Sequence, residues 1–312
     1  SLDFADIQGQ EEAKEAIVTS VTGKHGLLLI GSPGTGKTML ARRIPTILPD
    51  MTAKEQLETS MIYSLAGKLD QYTPYISRRP FREINKTVTP AGMLGGGIEP
   101  MPGEISYAHN GILFMDEFLE FPREKTELLR KPMEDGKIRI LRRGQLYVFP
   151  ASFSLIAASN PCPCGFLGDK EKQCRCSDTQ IQRYQSRLSG PLLDRIDLVI
   201  TVPRLTTDEL VQKGESEPSA KIRERIVRAR KIQAQRYQND GILTNSELST
   251  KLIKKYCILS EKCAEILKFA AQKYGLSGRK YNRVLKLART IADLDNSEKI
   301  TELHISQALQ YK

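Results

Sequence analysis

Residues 31–38 read Gly31-Ser32-Pro33-Gly34-Thr35-Gly36-Lys37-Thr38. Glycines at this spacing let consecutive backbone N–H groups converge on a polyanion, while the lysine adds a point charge and the threonine a ligand for a hard cation. The octet follows the apolar run 27–30 and precedes the helix-forming Met39-Leu40-Ala41-Arg42-Arg43, the strand-to-helix setting in which such a loop cradles nucleotide phosphates. Lys37 is therefore expected at the β and γ phosphates of ATP and Thr38 on Mg²⁺, with Pro45 ending or kinking the helix behind them.

A phosphate site of this kind needs an acidic partner at the end of a neighbouring strand. Ile112-Leu113-Phe114-Met115-Asp116-Glu117 supplies one: Asp116 to hold Mg²⁺ through water, Glu117 to polarise the attacking water. Leu155-Ile156-Ala157-Ala158-Ser159-Asn160 is a second apolar run ending in a polar group, which places Asn160 to orient that water.

Four of the six cysteines follow directly as Cys162-Pro163-Cys164 and Cys174-Arg175-Cys176, nine residues apart. Four thiolates can close a tetrahedral Zn²⁺ site bracing the loop after Asn160, although C-x-C is tighter than the usual zinc spacing; reduced thiols are the alternative.

Positioning these groups requires a sheet. The runs 27–30, 112–115, 155–158 and 198–202 alternate with amphipathic stretches, the pattern of an α/β fold with a mostly parallel sheet flanked by helices. Thr52 and Glu55 form a capping-box pair opening a helix expected to bury Leu57, Met61 and Leu65. Residues 138–149 read as a hairpin turning at Arg142 and Arg143, basic side chains suited to gripping a nucleic-acid backbone, or else as a solvated hairpin supporting Asn160. Past residue 203 a polar connector, 204–218, leads into helical periodicity alone, with helices expected at 221–237, 261–273, 278–294 and 301–310. The chain is thus divided into a nucleotide-binding core, 1–203, carrying inserts at about 70–110 and 136–150 and the cysteine loop 161–177, and an all-helical region, 219–312.

At 312 residues with 40% apolar and 27% charged positions, the chain can bury a substantial core. A formal net charge of +10 favours a polyanionic partner if the charges share a surface. No apolar run is long enough to span a bilayer, so a soluble, cytoplasmic protein with no membrane partner is expected. The opening Ser1-Leu2-Asp3-Phe4 lacks an initiator methionine, so an upstream segment is expected.

Several stretches together resemble the AAA+ ATPases, and within them the magnesium-chelatase-like group. They are Asp6-Ile7-Gln8-Gly9-Gln10, the phosphate loop, 90–97 with Gly95-Gly96-Gly97, and 102–111. Asn160-Pro161-Cys162-Pro163-Cys164-Gly165, Ser189-Gly190-Pro191-Leu192-Leu193-Asp194-Arg195-Ile196-Asp197 and 288–294 complete the set. The resemblance spans nearly the whole chain, departing at Ser32 and at Asn85-Lys86. It implies a P-loop AAA+ core with an all-helical lid, assembled as a ring, usually a hexamer, with ATP at each subunit boundary. Ile7 and Gln8 would lie against the adenine, packing of the N-terminal arm being the alternative, and the first insert would face the central pore. Ser189 would cap a short helix leaving Arg195 as an arginine finger for the neighbour's γ-phosphate; pairing with Asp194 or Asp197 is the alternative. Arg279 matches the lid's sensor-2 position, with Arg283 one turn later as the competing choice. The implied work is DNA translocation or branch migration by a helicase-like motor, or else chelatase-type remodelling of a protein partner for Mg²⁺ insertion.

Overall fold

A computed structural model describes residues 1–311 apart from Ser189, Lys213 and Glu215. Among the described residues the strands are β1 (Leu27–Ile30), β2 (Phe81–Ile84), β3 (Gly95–Gly96), β4 (Met101–Pro102), β5 (Ile112–Met115), β6 (Lys137–Arg142), β7 (Gln145–Pro150), β8 (Ser154–Ser159) and β9 (Leu198–Thr201). Five form one parallel sheet in the order β2-β5-β8-β1-β9. β1 and β5 are all but continuously buried, as expected of strands covered by helices on both faces. Apolar residues on the two sides of the sheet gather into two cores, one built on Leu27, Leu29 and Phe114, the other on Leu28, Leu113 and Met115.

The edge strand β2, Phe-Arg-Glu-Ile, was not apparent as a strand because half of it is charged. Arg82 and Glu83 meet partners outside the sheet, Glu104 and Arg42, which lets a polar segment sit on the edge.

The helix Ala53–Leu65 opens with the expected capping box between Thr52 and Glu55. Its buried face, however, is Glu55, Thr59, Ile62 and Tyr63. Leu57, Met61 and Leu65, expected in the core, are 63%, 63% and 55% exposed. Polar anchoring sets the rotation: Arg79 grips both Glu55 oxygens, Asn110 Nδ2 donates to the Glu55 carbonyl, and the Tyr63 hydroxyl donates to the Tyr107 carbonyl. Turning Leu57 inward would strand the buried Arg79–Glu55 pair, at about 3–5 kcal/mol, and would bring Ile62 and Tyr63 out of the core in exchange.

The hairpin β6–β7 is antiparallel, with Arg142 opposite Gln145 and Arg143-Gly144 at the turn, both at positive φ (50° and 77°) as a two-residue hairpin turn requires. Arg142 and Arg143 are exposed at this end, and the Arg142 guanidinium approaches Gly96 of the small β3–β4 ribbon, so the two inserts meet.

The helical region contains Ser219–Arg236, Thr250–Tyr256, Glu261–Tyr274, Gly278–Leu294 and Glu302–Gln310. Asp293, fully buried, anchors it by accepting from Arg236 and Asn245 and by pairing with the Arg289 guanidinium at 3.2 Å. The polar connector itself holds a short helix, Thr207–Val211, started by a capping box between Thr206 and Glu209. Among the described residues, no helix is long and apolar enough to cross a membrane.

Candidate nucleotide site

Parallel strands bring their C-terminal ends to one edge of the sheet. Pairing of Ile30 with Ser159 and of Met115 with Ala157 therefore sets the phosphate loop, Asp116 and Asn160 side by side. The loop turns at Gly34 and Gly36, both at positive φ (82° and 96°), where any side chain would be strained. The helix Lys37–Arg42 begins at once, and the chain continues as the 3-10 turn Ile44–Thr46 with Pro45 in its first turn, so the proline ends the α-helix as expected. Lys37 is buried, and its ammonium donates to the carbonyls of Gly31 (2.5 Å) and Ser32 (3.0 Å) and, at 3.4 Å, to Asn160 Oδ1. Burial lowers its pKa, partly offset by Asp116, so an anion brought beside it would be strongly attracted.

The Thr38 hydroxyl donates to Asp116 Oδ2 (2.8 Å), while the Glu117 N–H donates to Asp116 Oδ1 (2.8 Å). A hydroxyl and a carboxylate so close offer two hard oxygen donors suited to Mg²⁺ and its waters. Glu117 sits in the left-handed region (φ 51°, ψ 46°), costing about 1 kcal/mol for a residue with a Cβ. That backbone leaves its carboxylate largely exposed, 3.8 Å from Lys86 Nζ.

Gln10, which sequence reasoning did not single out as a site residue, braces the loop: its amide donates to the carbonyls of Thr35 (3.1 Å) and Pro203 (2.8 Å). Gln10 itself takes a positive φ of 57°, and the neighbouring Gly9 is the sign of that turn in the sequence. Ile7 is packed in the core, with its carbonyl taken by Lys14 and Ser216, whereas Gln8 lines a cleft of about 390 Å³ with Gly9, Pro203, Leu205 and Ser216.

The four cysteine sulfurs of Cys162, Cys164, Cys174 and Cys176 lie within 4.8 Å of one another. Separations of 3.4, 3.8 and 3.6 Å among Cys162, Cys164 and Cys174 come close to the ~3.8 Å edge of a tetrahedron with Zn–S bonds of about 2.3 Å. Backbone N–H groups of Arg175 and Phe166 bring the Cys164 thiol down to about 6, whereas at Cys176 the Cys164 N–H is outweighed by desolvation and the neighbouring thiols, which push it up to about 12, so without a cation the four do not ionise together. The donor set and its spacing fit Zn²⁺. The loop they close leans on the phosphate loop, since a Cβ at Gly165 would come within 2.9 Å of Pro33. Asp169 in the same loop accepts from Arg204 beyond β9 and is held well below the usual carboxylate range, chiefly by the Lys172 N–H and then by the Ser32 hydroxyl. Ser32 thus has a partner that accounts for a hydroxyl in the loop.

Arg195 and Arg279 are elsewhere. Arg195 follows the turn Gly190–Leu193 and precedes β9, at the N-terminal edge of the sheet, where its guanidinium meets Glu134 at 2.9 Å and not Asp194 or Asp197, the partners of the alternative reading. Ser189, the expected cap of that turn, lies outside the described residues. Arg279 is exposed, on the same cavity of about 600 Å³ as Arg195, Arg283 and Lys286. Arg283 is buried and donates to the Ile196 carbonyl, a structural use that separates it from Arg279.

The fold and the phosphate-loop edge define a P-loop AAA+ core with a helical lid, and the chain belongs to the magnesium chelatase family. The model described as magnesium chelatase, subunit ChlI, matches residues 3–210, and that of the ChlI C-terminal region matches 216–312. Membership implies ATP and Mg²⁺ as the ligands of the loop. The chain is 44% identical, over all of its length, to the Competence protein ComM of Haemophilus influenzae, and 42% identical over 99% of its length to the protein YifB of Escherichia coli. It covers 60% of each of those proteins. It is 28% identical over 54% of its length to the magnesium-chelatase 67 kDa subunit of Heliobacterium mobile, covering 29% of that protein.

Proposed function

We propose that this chain is the ATP-hydrolysing part of a ring motor, with each nucleotide held between two subunits. One subunit supplies the phosphate loop, Thr38, Asp116, Glu117 and Asn160; its neighbour supplies Arg195 and Arg279. The observation that carries this reading is that both arginines flank the opposite edge of the sheet from the chain's own phosphate loop. A four-residue strand rises ~13 Å, so neither reaches its own phosphates without rearrangement of the core.

Lys37 and the loop N–H groups bind the β and γ phosphates, Thr38 and Asp116 hold Mg²⁺, Glu117 polarises the attacking water and Asn160 orients it. Mg²⁺ supplies charge neutralisation on the transferring phosphoryl group. Arg195 and Arg279 stabilise charge that develops as the γ-phosphate leaves. Gln8 lines the adenine cleft, and the four cysteines hold a structural Zn²⁺ that stiffens the wall against Pro33. A ring of six subunits in the cytoplasm, where six unpaired cysteines are stable, accords with this reading.

The polymer we assign is DNA. Support comes from the similarity to a competence protein, the net charge of +10, and the exposed Arg142 and Arg143 where the two inserts meet. ATP turnover measured with and without single-stranded and branched DNA, at several salt concentrations, tests this. Stimulation that fades with salt is expected; turnover indifferent to DNA, with no binding at low salt, removes the motor reading and leaves remodelling of a protein partner.

A further inference from the structure

His25 is fully buried on the short link between the helix Glu11–Gly23 and β1, and neither the phosphate chemistry nor the sheet uses it. Its Nδ1 donates to Asp197 Oδ2 at 2.7 Å, and its Nε2 meets the Thr290 hydroxyl at 2.7 Å. Asp197 belongs to the turn that carries Arg195; Thr290 belongs to the helix Gly278–Leu294, which carries Arg279. The ring is clamped on its open side, because a Cβ at Gly23 would come within 2.2 Å of Nε2 and 2.5 Å of the Thr290 hydroxyl. Asn245 Nδ2 also donates to that hydroxyl, at 3.0 Å. A second strut runs parallel to the first, from Arg283 Nη1 to the Ile196 carbonyl at 3.3 Å.

We propose that His25 is a positioning residue for the neighbour-facing arginines: it locks the turn bearing Arg195 to the lid helix bearing Arg279, so that both reach the adjoining subunit's phosphates as one unit. This rests on the shared-site reading above. A buried imidazole–carboxylate pair adds little stability over an apolar pair of similar size, but its directional hydrogen bonds fix one relative placement of turn and helix. Because the link lies at the far edge of the sheet from Lys37, it acts on turnover and leaves nucleotide binding alone.

The test uses His25→Leu, which fills the space without hydrogen bonds, His25→Asn, which keeps a donor for Asp197, and Thr290→Val. His25→Leu should bind MgADP within about twofold of the unmodified chain yet lose about tenfold or more in turnover at saturating ATP, with partial return in His25→Asn and a smaller loss in Thr290→Val. Mixed with Lys37→Ala subunits, which keep intact arginines, His25→Leu subunits should regain turnover; mixed with Arg195→Ala subunits they should not. Unchanged turnover in His25→Leu, or weakened MgADP binding with no recovery beside Lys37→Ala, overturns the proposal. The control mixture of Arg195→Ala with Lys37→Ala separates the two levels. Recovery there with none for His25→Leu removes only the role of His25, whereas no recovery in the control removes the shared site and this role with it.

Discussion

Lys37 and Arg195 stand at opposite ends of one parallel sheet: Lys37 lies beyond the C-terminal end of β1, and Arg195 lies three residues ahead of β9, the strand hydrogen-bonded to β1 in register. Between these edges the sheet is a buried slab that neither side chain can cross. A phosphate loop with its acids at one edge and Arg195 and Arg279 at the other is the arrangement on which the proposed sharing of the site between neighbouring subunits rests.

Binding and hydrolysis should separate cleanly at the loop edge. Lys37→Ala removes a buried cation from the phosphates and should weaken MgATP binding about tenfold or more. Glu117→Gln should bind MgATP nearly as the unmodified chain does while losing about a hundredfold or more in turnover. Equilibrium binding of a fluorescent nucleotide and steady-state hydrolysis distinguish the two; a Glu117→Gln chain with full turnover would assign the water to another residue.

The four sulfurs should hold one Zn²⁺ per chain when the protein is purified without chelator, as metal analysis would reveal. Cys162→Ser or Cys174→Ser should lose the metal and, because the loop leans on Pro33 through Gly165, weaken MgADP binding as well. Absence of zinc from the unmodified protein would leave the cluster as reduced thiols.

Rotation of the helix Ala53–Leu65 can be read from stability. Ile62→Ala, at a buried position, should cost about 2–4 kcal/mol in chemical denaturation. Leu57→Ser and Met61→Ser, at exposed positions, should stay within about 0.5 kcal/mol of the unmodified chain. Large losses at Leu57 and Met61 would restore the orientation expected from their spacing.

At the hairpin tip, Arg142→Ala with Arg143→Ala should weaken DNA binding uniformly across sequences and flatten its salt dependence by about two counterions, while basal turnover without DNA is retained. Binding isotherms at several salt concentrations check this; an unchanged salt slope would leave the hairpin as a support for the strand that carries Asn160.

Much of the molecule is legible in its sequence. The phosphate loop is readable because its glycines, lysine and threonine are required by chemistry at fixed spacing, and β1, β5 and β8 because a doubly covered strand must be apolar throughout. The hairpin was legible from alternation about a basic Gly turn. β2 was not, since an edge strand can carry Arg82 and Glu83 when partners wait outside the sheet. The rotation of Ala53–Leu65 was misread because Leu57, Met61 and Leu65 repeat at helical spacing, whereas the deciding contact, Arg79 on Glu55, joins residues 24 apart. Gln10 and His25 were invisible for the same reason: each acts through hydrogen bonds to distant segments, and a lone amide or imidazole carries no spacing signal.

The shared site is tested most directly by mixing Glu117→Gln subunits with Arg195→Ala subunits. Each homogeneous variant should be nearly inactive. A mixture should regain part of the activity, because an Arg195→Ala subunit keeps an intact Glu117 and can receive its arginine from a Glu117→Gln neighbour. No recovery at any ratio, or near-normal turnover by Arg195→Ala alone, would contradict an ATP site built from two subunits.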